Sequence, residues 1–155
     1  MNGNRDFRDF LQCLNEAGAR YLIVGAYAVI YHTEPRYTKD LDIWVEPLSE
    51  NAKKVWGALA KFGAPLSDLT VTDFCNPDMI YQIGVEPNRI DIIMDIKGLK
   101  FSEAWDNRVA NTYDDQPVSI LSREDILQAK KAAGRPRDLL DVEILELSKK
   151  RDQKK

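Results

Sequence analysis

Cysteine and histidine are scarce in this 155-residue chain: it has two cysteines, Cys13 and Cys75, and one histidine, His32. The two thiols stand far apart and in no ligand spacing, which argues against a Cys/His zinc site and against a disulfide framework. Both read as reduced, buried thiols. Charge of one sign is also lacking. With 22 Lys and Arg against 25 Asp and Glu, the net charge is −3 and the basic residues are dispersed. That balance argues against a broad nucleic-acid face and leaves room only for a local basic patch. No apolar run approaches the length of a membrane span, and the opening MNGNRDFRDF has no apolar signal core. The expectation is a cytoplasmic chain with no membrane contact. No repeat or low-complexity segment interrupts it.

What is present suits a soluble globular fold: 44% of residues are hydrophobic and 30% charged. At this length residues 1–155 are expected to form one domain with a full core, and the tail from about 149 to 155 to fray. Phe7, Phe10, Leu11 and Leu14 recur at helical spacing, which predicts a helix over 6–17 stopped by Gly18. A second helix is expected over 49–62, with Ala52, Val55, Trp56, Leu59 and Ala60 inward. Residues 63–77 read as an irregular excursion. Strands are expected at 79–85 and 90–95, a short helix at 101–107, and a hairpin of 110–113 with 117–120 around Asp114-Asp115-Gln116. Ser122 caps a helix that runs to Gly134, and a last helix spans 136–149 with Leu139, Leu140, Ile144, Leu145 and Leu147 as its apolar residues.

The most informative stretch is Tyr21 to Glu46, YLIVGAYAVIYHTEPRYTKDLDIWVE. It predicts a buried strand (21–24), a turn at Gly25-Ala26, a short helix (27–32), a loop and a second strand carrying Asp40 and Asp42. Gly25 lets a ligand approach the backbone where a helix N-terminus offers free N–H groups to an anion. Asp40 and Asp42, two apart on a strand, point to one face, where paired hard carboxylates suit Mg²⁺. Arg36 and Lys39 are either solvated loop charges or phosphate ligands. Thr38 supports the strand's entry by local hydrogen bonding. His32, at a helix end, reads first as a structural residue and second as a nucleotide contact. Asp91, inside the apolar run Ile90-Asp91-Ile92-Ile93, needs a charge partner or a metal. Asp95 would face the same way but sits nearer the strand's end.

Val24-Gly25-Ala26 followed by Asp40-Leu41-Asp42 resembles the signature of the nucleotidyltransferase superfamily, an apolar residue, Gly, Gly or Ser, and then Asp-x-Asp. The fuller run through His32, Arg36-x-Thr38 and Lys39-Asp40-Leu41-Asp42-Ile43 is similar to small bacterial AbiEii-type and other minimal nucleotidyltransferases. The resemblance implies an α/β (α+β) nucleotidyltransferase-like fold, a mixed sheet flanked by helices, with C-terminal helices. It implies Asp40, Asp42 and Asp91 as catalytic metal ligands for Mg²⁺ or Mn²⁺. It also implies Gly25, Ala26, Arg36, Thr38, Lys39 and Lys130 against an NTP. Ala26 departs from the signature, keeping a backbone contact but supplying no hydroxyl. Lys130 lies in a Lys…Gly-Arg-x-x-Asp segment like the one that closes many minimal enzymes; the other reading of Lys130 to Asp138 is a solvated helix corner, with Asp138 and Asp141 serving the last helix's dipole.

The implied activity is transfer of an NMP from an NTP to an acceptor hydroxyl on a protein, an RNA end or a small molecule, in a toxin–antitoxin type system or outside one. The alternative is a weakened module of the same fold that acts by binding a partner protein. A metal-dependent phosphohydrolase ranks last, because it leaves the Gly25 turn without a use.

Overall fold

Four consecutive apolar residues, Tyr21–Val24, form strand β1, and all four are buried. The reason is its place in the computed structural model, which describes residues 4–33, 40–85 and 88–153. β1 lies inside a six-stranded sheet between β2 (Asp40–Val45) and β6 (Gln116–Ile120). Beyond β2 come β4 (Arg89–Ile93) and the edge strand β3 (Ile80–Ile83); beyond β6 lies the other edge, β5 (Val109–Tyr113). The β3–β4 and β5–β6 pairs are antiparallel hairpins, β1 runs antiparallel to β2, and β2–β4 and β1–β6 are parallel. This is the mixed sheet with flanking helices that the sequence predicts. Among the described residues no helix is long and apolar enough to cross a membrane.

Helix α1 (Arg5–Ala17) has both its ends written in the sequence. Asn4 Oδ1 accepts from the Asp6 N–H at 2.8 Å, and Gly18 closes the helix with φ +70°. Its inward residues are the four expected, Phe7, Phe10, Leu11 and Leu14. Burying each such side chain is worth about 2 kcal/mol. α1 packs against α3 (Ser49–Phe62), with the Phe10 and Phe62 rings edge to face at 5.3 Å. On α3 the expected stripe needs one correction. Ala60 is exposed and Ala58 is buried in its place, because the inward face includes Asn51 and turns by part of a residue.

Asn51 is a polar residue the apolar pattern overlooks. It is 4% exposed, and its Oδ1 accepts from the Arg20 N–H at 2.7 Å. Its Nδ2 donates to the carbonyls of Arg20 and Glu46, each at 3.0 Å. One side chain thereby ties the start of β1 to the end of β2.

Other departures are local. α2 is Gly25–His32, so the helix begins at Gly25 itself with no separate turn. Within 63–77 a short 3-10 helix, Val71–Cys75, is held by a reciprocal Thr70–Asp73 cap and buries Phe74. Cys13 and Cys75 are free thiols, half-buried where full burial was expected. α4 covers Phe101–Asp106. α5 is Arg123–Ala133, capped as expected by Ser122, whose Oγ accepts from the Asp125 N–H at 3.1 Å. α6 runs from Pro136 to Gln153, past the expected end at Lys149. Its buried apolar residues are Val142 and Leu145, with Asp138 and Ser148 buried beside them. Leu139, Leu140 and Leu147 face outward, so the predicted apolar residues are spread around the helix.

Replacing Asn51 with leucine leaves the Arg20 N–H and Glu46 carbonyl without that partner inside the fold. The expected loss is about 3 kcal/mol, read as a lower urea midpoint at unchanged slope.

Candidate active site

The register of the sheet sets out four charges as a two-by-two grid. Asp40 lies beside Arg89, and Asp42 beside Asp91, on the parallel pair β2–β4. Residues two apart on a strand share a face, so all four side chains are brought to one side of the sheet. On the other flank Val24 is the register partner of Asp42, and the next residue, Gly25, starts α2. The sequence-predicted carboxylates therefore meet each other and meet Gly25.

Gly25 is fixed by two constraints. Its φ is +66°, a left-handed value that glycine tolerates best. A Cβ placed there would stand 2.0 Å from Asp42 Oδ2. The carboxylate of Asp42 thus packs directly on the Gly25 backbone. No side chain caps the N-terminus of α2, and the first-turn N–H groups of any helix lack acceptors within it, leaving a positive dipole end beside the carboxylates. Ala26, half-buried in that first turn, adds a backbone N–H and no hydroxyl.

Arg89 is the cation of the grid. Its Nη2 donates to Asp40 Oδ2 at 2.7 Å and to Asp91 Oδ2 at 3.4 Å. Its Nε stands 3.2 Å from Asp91 Oδ1, yet both atoms are screened from solvent and neither makes an aligned hydrogen bond. Asp42 bears the unbalanced charge. Burial first, then the negative charges of Asp91 and Asp40, push its carboxyl up to about 7, and the protonated form is favoured further by a hydrogen bond with Asp91.

As folded, no three Asp, Glu, His or Cys side chains among the described residues are already spread into a cation's shell. The donors nevertheless fit a hard divalent ion. Asp40, Asp42 and Asp91 supply only oxygen, they converge on one face, and burial together with their mutual repulsion raises the carboxyl of Asp42. Asp95, the competing third carboxylate, is exposed beyond the end of β4.

A cavity of about 330 Å³ opens from Gly25 and Asp42 over this face. Ile93, Ile96, Leu121 and Ile126 give it an apolar lining, while Asp95 and Lys97 stand on one side and Lys130, Arg135 and Asp138 on another. Lys130 does reach the same cavity as Gly25 and Asp42. Its Nζ is 3.1 Å from Asp141 and 3.6 Å from Asp138. Asp138 is 2% exposed, and Arg135 grips it through Nε at 2.6 Å, which holds its carboxyl below the usual range. At the corner between α5 and α6, Lys130, Arg135, Asp138 and Asp141 thus form an ion cluster beside the cavity, with Arg135 exposed to solvent and Asp138 buried. Asp138 also accepts from the Arg135 N–H just ahead of α6, the helix-start role expected of it.

Other predicted residues fall elsewhere. Arg36, Thr38 and Lys39 lie outside the described residues. His32 ends α2 with its Nε2 2.9 Å from the Leu121 carbonyl, a structural contact. Asp114-Asp115 forms the β5–β6 turn, and Asp115 pairs with Arg8 on α1 at 2.7 Å. Arg135 is the arginine of the Gly-Arg-x-x-Asp segment, whereas no such motif marks Arg89 or Lys97. For Arg89 the signal was there: Arg89-x-Asp91 repeats the two-residue spacing of Asp40-x-Asp42 on the neighbouring strand.

No family model matches the chain, and no curated protein matches it. Among solved structures it is similar to the crystal structure of the lincosamide antibiotic adenylyltransferase LnuA bound to lincomycin. The TM-score is 0.57 with 16% identity, covering 93% of this chain and 96% of that one. The likeness shows a shared fold, the nucleotidyltransferase-like fold expected from the sequence.

Two outcomes follow from the packing of Gly25 on Asp42. Gly25→Ala should cost about 2 kcal/mol or more from the left-handed backbone alone. Part of its total cost should return in the Gly25→Ala/Asp42→Ala double variant, where the clash is gone; a double-mutant cycle on urea midpoints measures the coupling. The second concerns pH. Because the folded carboxyl of Asp42 titrates near 7, above its ordinary 3.8, its contribution is fully present below about 4 and is lost as pH rises through 7. Without metal, Asp42→Asn should therefore melt higher than the parent at pH 8, and the difference should vanish near pH 4.

Proposed function

We propose that the chain is a divalent-metal-dependent nucleotidyltransferase that moves an NMP from an NTP to an acceptor hydroxyl. The observation that carries this reading is the register of Asp42 beside Asp91, with Asp42 packed against Gly25 at the start of α2. The shared fold with an adenylyltransferase supports it. Asp40, Asp42 and Asp91 would hold Mg²⁺ or Mn²⁺, which supplies neutralisation of charge on the transferred phosphoryl group. The chain's own residues account for the remainder. The N–H groups opening α2, reached closely because Gly25 has no side chain, bind phosphate oxygens. Lys130 and Arg135 face them across the cavity and balance the triphosphate's charge. Arg36, Thr38 and Lys39, just ahead of Asp40, are assigned to the same phosphates on charge and placement.

In the reaction an oxygen–phosphorus bond forms between the acceptor hydroxyl and the α-phosphorus as the bond from that phosphorus to the β-phosphate oxygen breaks. Pyrophosphate leaves. Asp91 accepts the hydroxyl's proton. Positioning of acceptor and donor on one rigid sheet face supplies much of the acceleration. The acceptor belongs to one of three classes: a protein hydroxyl, an RNA end or a small molecule.

A second reading rests on Ala26 and on the three leucines α6 leaves exposed, Leu139, Leu140 and Leu147. In it the chain is a weakened member of the fold that acts by binding a partner protein, as one half of a toxin–antitoxin pair does.

Thermal-shift titrations with ATP, GTP, CTP and UTP, each with and without Mg²⁺, separate the two. Transfer predicts that one nucleotide stabilises the chain only with Mg²⁺, by about 2.7 kcal/mol at a hundredfold excess over Kd, and that Asp42→Ala abolishes the shift. No response to any of the four would sink the enzyme reading in favour of the binding module.

A further inference from the structure

The grid of Asp40, Asp42, Arg89 and Asp91 holds three carboxylates and one guanidinium, and the guanidinium already uses what a metal would need. Nη2 of Arg89 takes Asp40 Oδ2 at 2.7 Å. Both oxygens of Asp91 face Arg89 as well, Oδ1 at 3.2 Å from Nε and Oδ2 at 3.4 Å from Nη2. A cation bridging Asp40 and Asp91 must share at least one Asp91 oxygen with Arg89. It must also settle within a few ångströms of a fixed positive charge, and that repulsion is strong in a partly buried site. The two halves of the arginine's contact are unequal. Toward Asp40 it is short; toward Asp91 it is misaligned, leaving Arg89 Nε and Asp91 Oδ1 buried without a proper hydrogen bond. An ion pair made this way leaves polar atoms unsatisfied, so exchanging it for a better-satisfied arrangement recovers their buried cost.

We propose that Arg89 is a positioning residue that acts as the site's resident counter-ion: it keeps the carboxylates together in the absence of metal and weakens their hold on a bare divalent cation. This rests on the metal-dependent reading above and adds to it an order of loading. A metal arriving alone finds a competing charge. A metal arriving with a triphosphate brings negative charge that Arg89 favours, so the same guanidinium opposes the first and tolerates the second. The register builds this in, because Arg89-x-Asp91 is paired residue for residue with Asp40-x-Asp42.

The test is direct binding of Mn²⁺, without nucleotide, to the wild-type chain and to Arg89→Gln and Arg89→Lys, followed by the paramagnetic signal of free Mn²⁺ and by calorimetry. Arg89→Gln should bind Mn²⁺ at least tenfold more tightly than wild type. Arg89→Lys, which keeps the charge, should stay within a few-fold of wild type. A residue with a purely structural role would not give tighter metal binding when removed. Equal or weaker binding by Arg89→Gln would overturn the role of Arg89 and leave the metal site standing. Should that variant fail to fold, the Nε–H resonance of Arg89 in the wild-type chain decides: Mg²⁺ added with nucleotide should shift it, and an unmoved resonance at saturation overturns the proposal. Absence of Mn²⁺ binding in every variant, with nucleotide present as well, would remove the metal-dependent reading itself and this inference with it.

Discussion

The pairing of β2 with β4 is the constraint on which the rest of the site depends. Parallel strands in this register set Asp42 against Asp91 and Asp40 against Arg89. A slip of one residue would turn all of them to the other face and leave the carboxylates in the core. The register is held by what lies between the charges. Leu41, Ile43, Ile90 and Ile92 point to the opposite face and are all buried. Alternation along the two strands thus performs two tasks at once: one face secures the sheet by burial, and that security lets the other face carry like charges side by side. The cost appears where three acids meet, in the raised carboxyl of Asp42.

The same alternation explains how far the sequence could be read. Helices with an apolar stripe and a stop, such as α1 with Gly18, and strands with a strict two-residue period were legible to within a residue or two. So was the meeting of Asp40, Asp42 and Asp91, since acids inside apolar strands break the local rule and such breaks mark functional sites. Less legible were residues whose role comes from tertiary contact. Asn51 joins two strand ends through three hydrogen bonds, yet in sequence it is one polar residue near a helix start. Arg89 reads as the end of a turn until β4 is set beside β2. Which leucines of α6 face outward is not legible either, because a leucine-rich helix shows no single face in its periodicity.

Lys130, Arg135, Asp138 and Asp141 form a second cluster, of which all but Asp141 line the cavity that Asp42 and Gly25 also line. Basic residues facing carboxylates over an apolar floor would suit a ligand with a charged end and a less polar body. The buried Asp138 pairs with both Arg135 and Lys130, which restrains the half-buried lysine more than the exposed arginine. Preorganised charge of this kind lowers the cost of binding because less side-chain freedom remains to be lost. The likeness in fold to an adenylyltransferase, at 16% identity over 93% of the chain, leaves the chemistry of both clusters to be argued from the residues themselves.

One asymmetry ties these points together. The well-satisfied part of the molecule is the layer of α1, α3 and the sheet, where rings and leucines interlock and Asn51 closes the strand ends. The site contains the opposite: a glycine in a left-handed conformation, a carboxylate pressed on its backbone, and an arginine that meets one of its two partners out of line. Each of these is individually destabilising, and all of them lie within two residues of register along β1, β2 and β4. A fold that needed only to be stable would replace them with apolar pairs at little loss. Their concentration in one place is what the proposed metal-dependent site would require, negative charge held ready for a cation, and the surrounding core is what makes the expense tolerable.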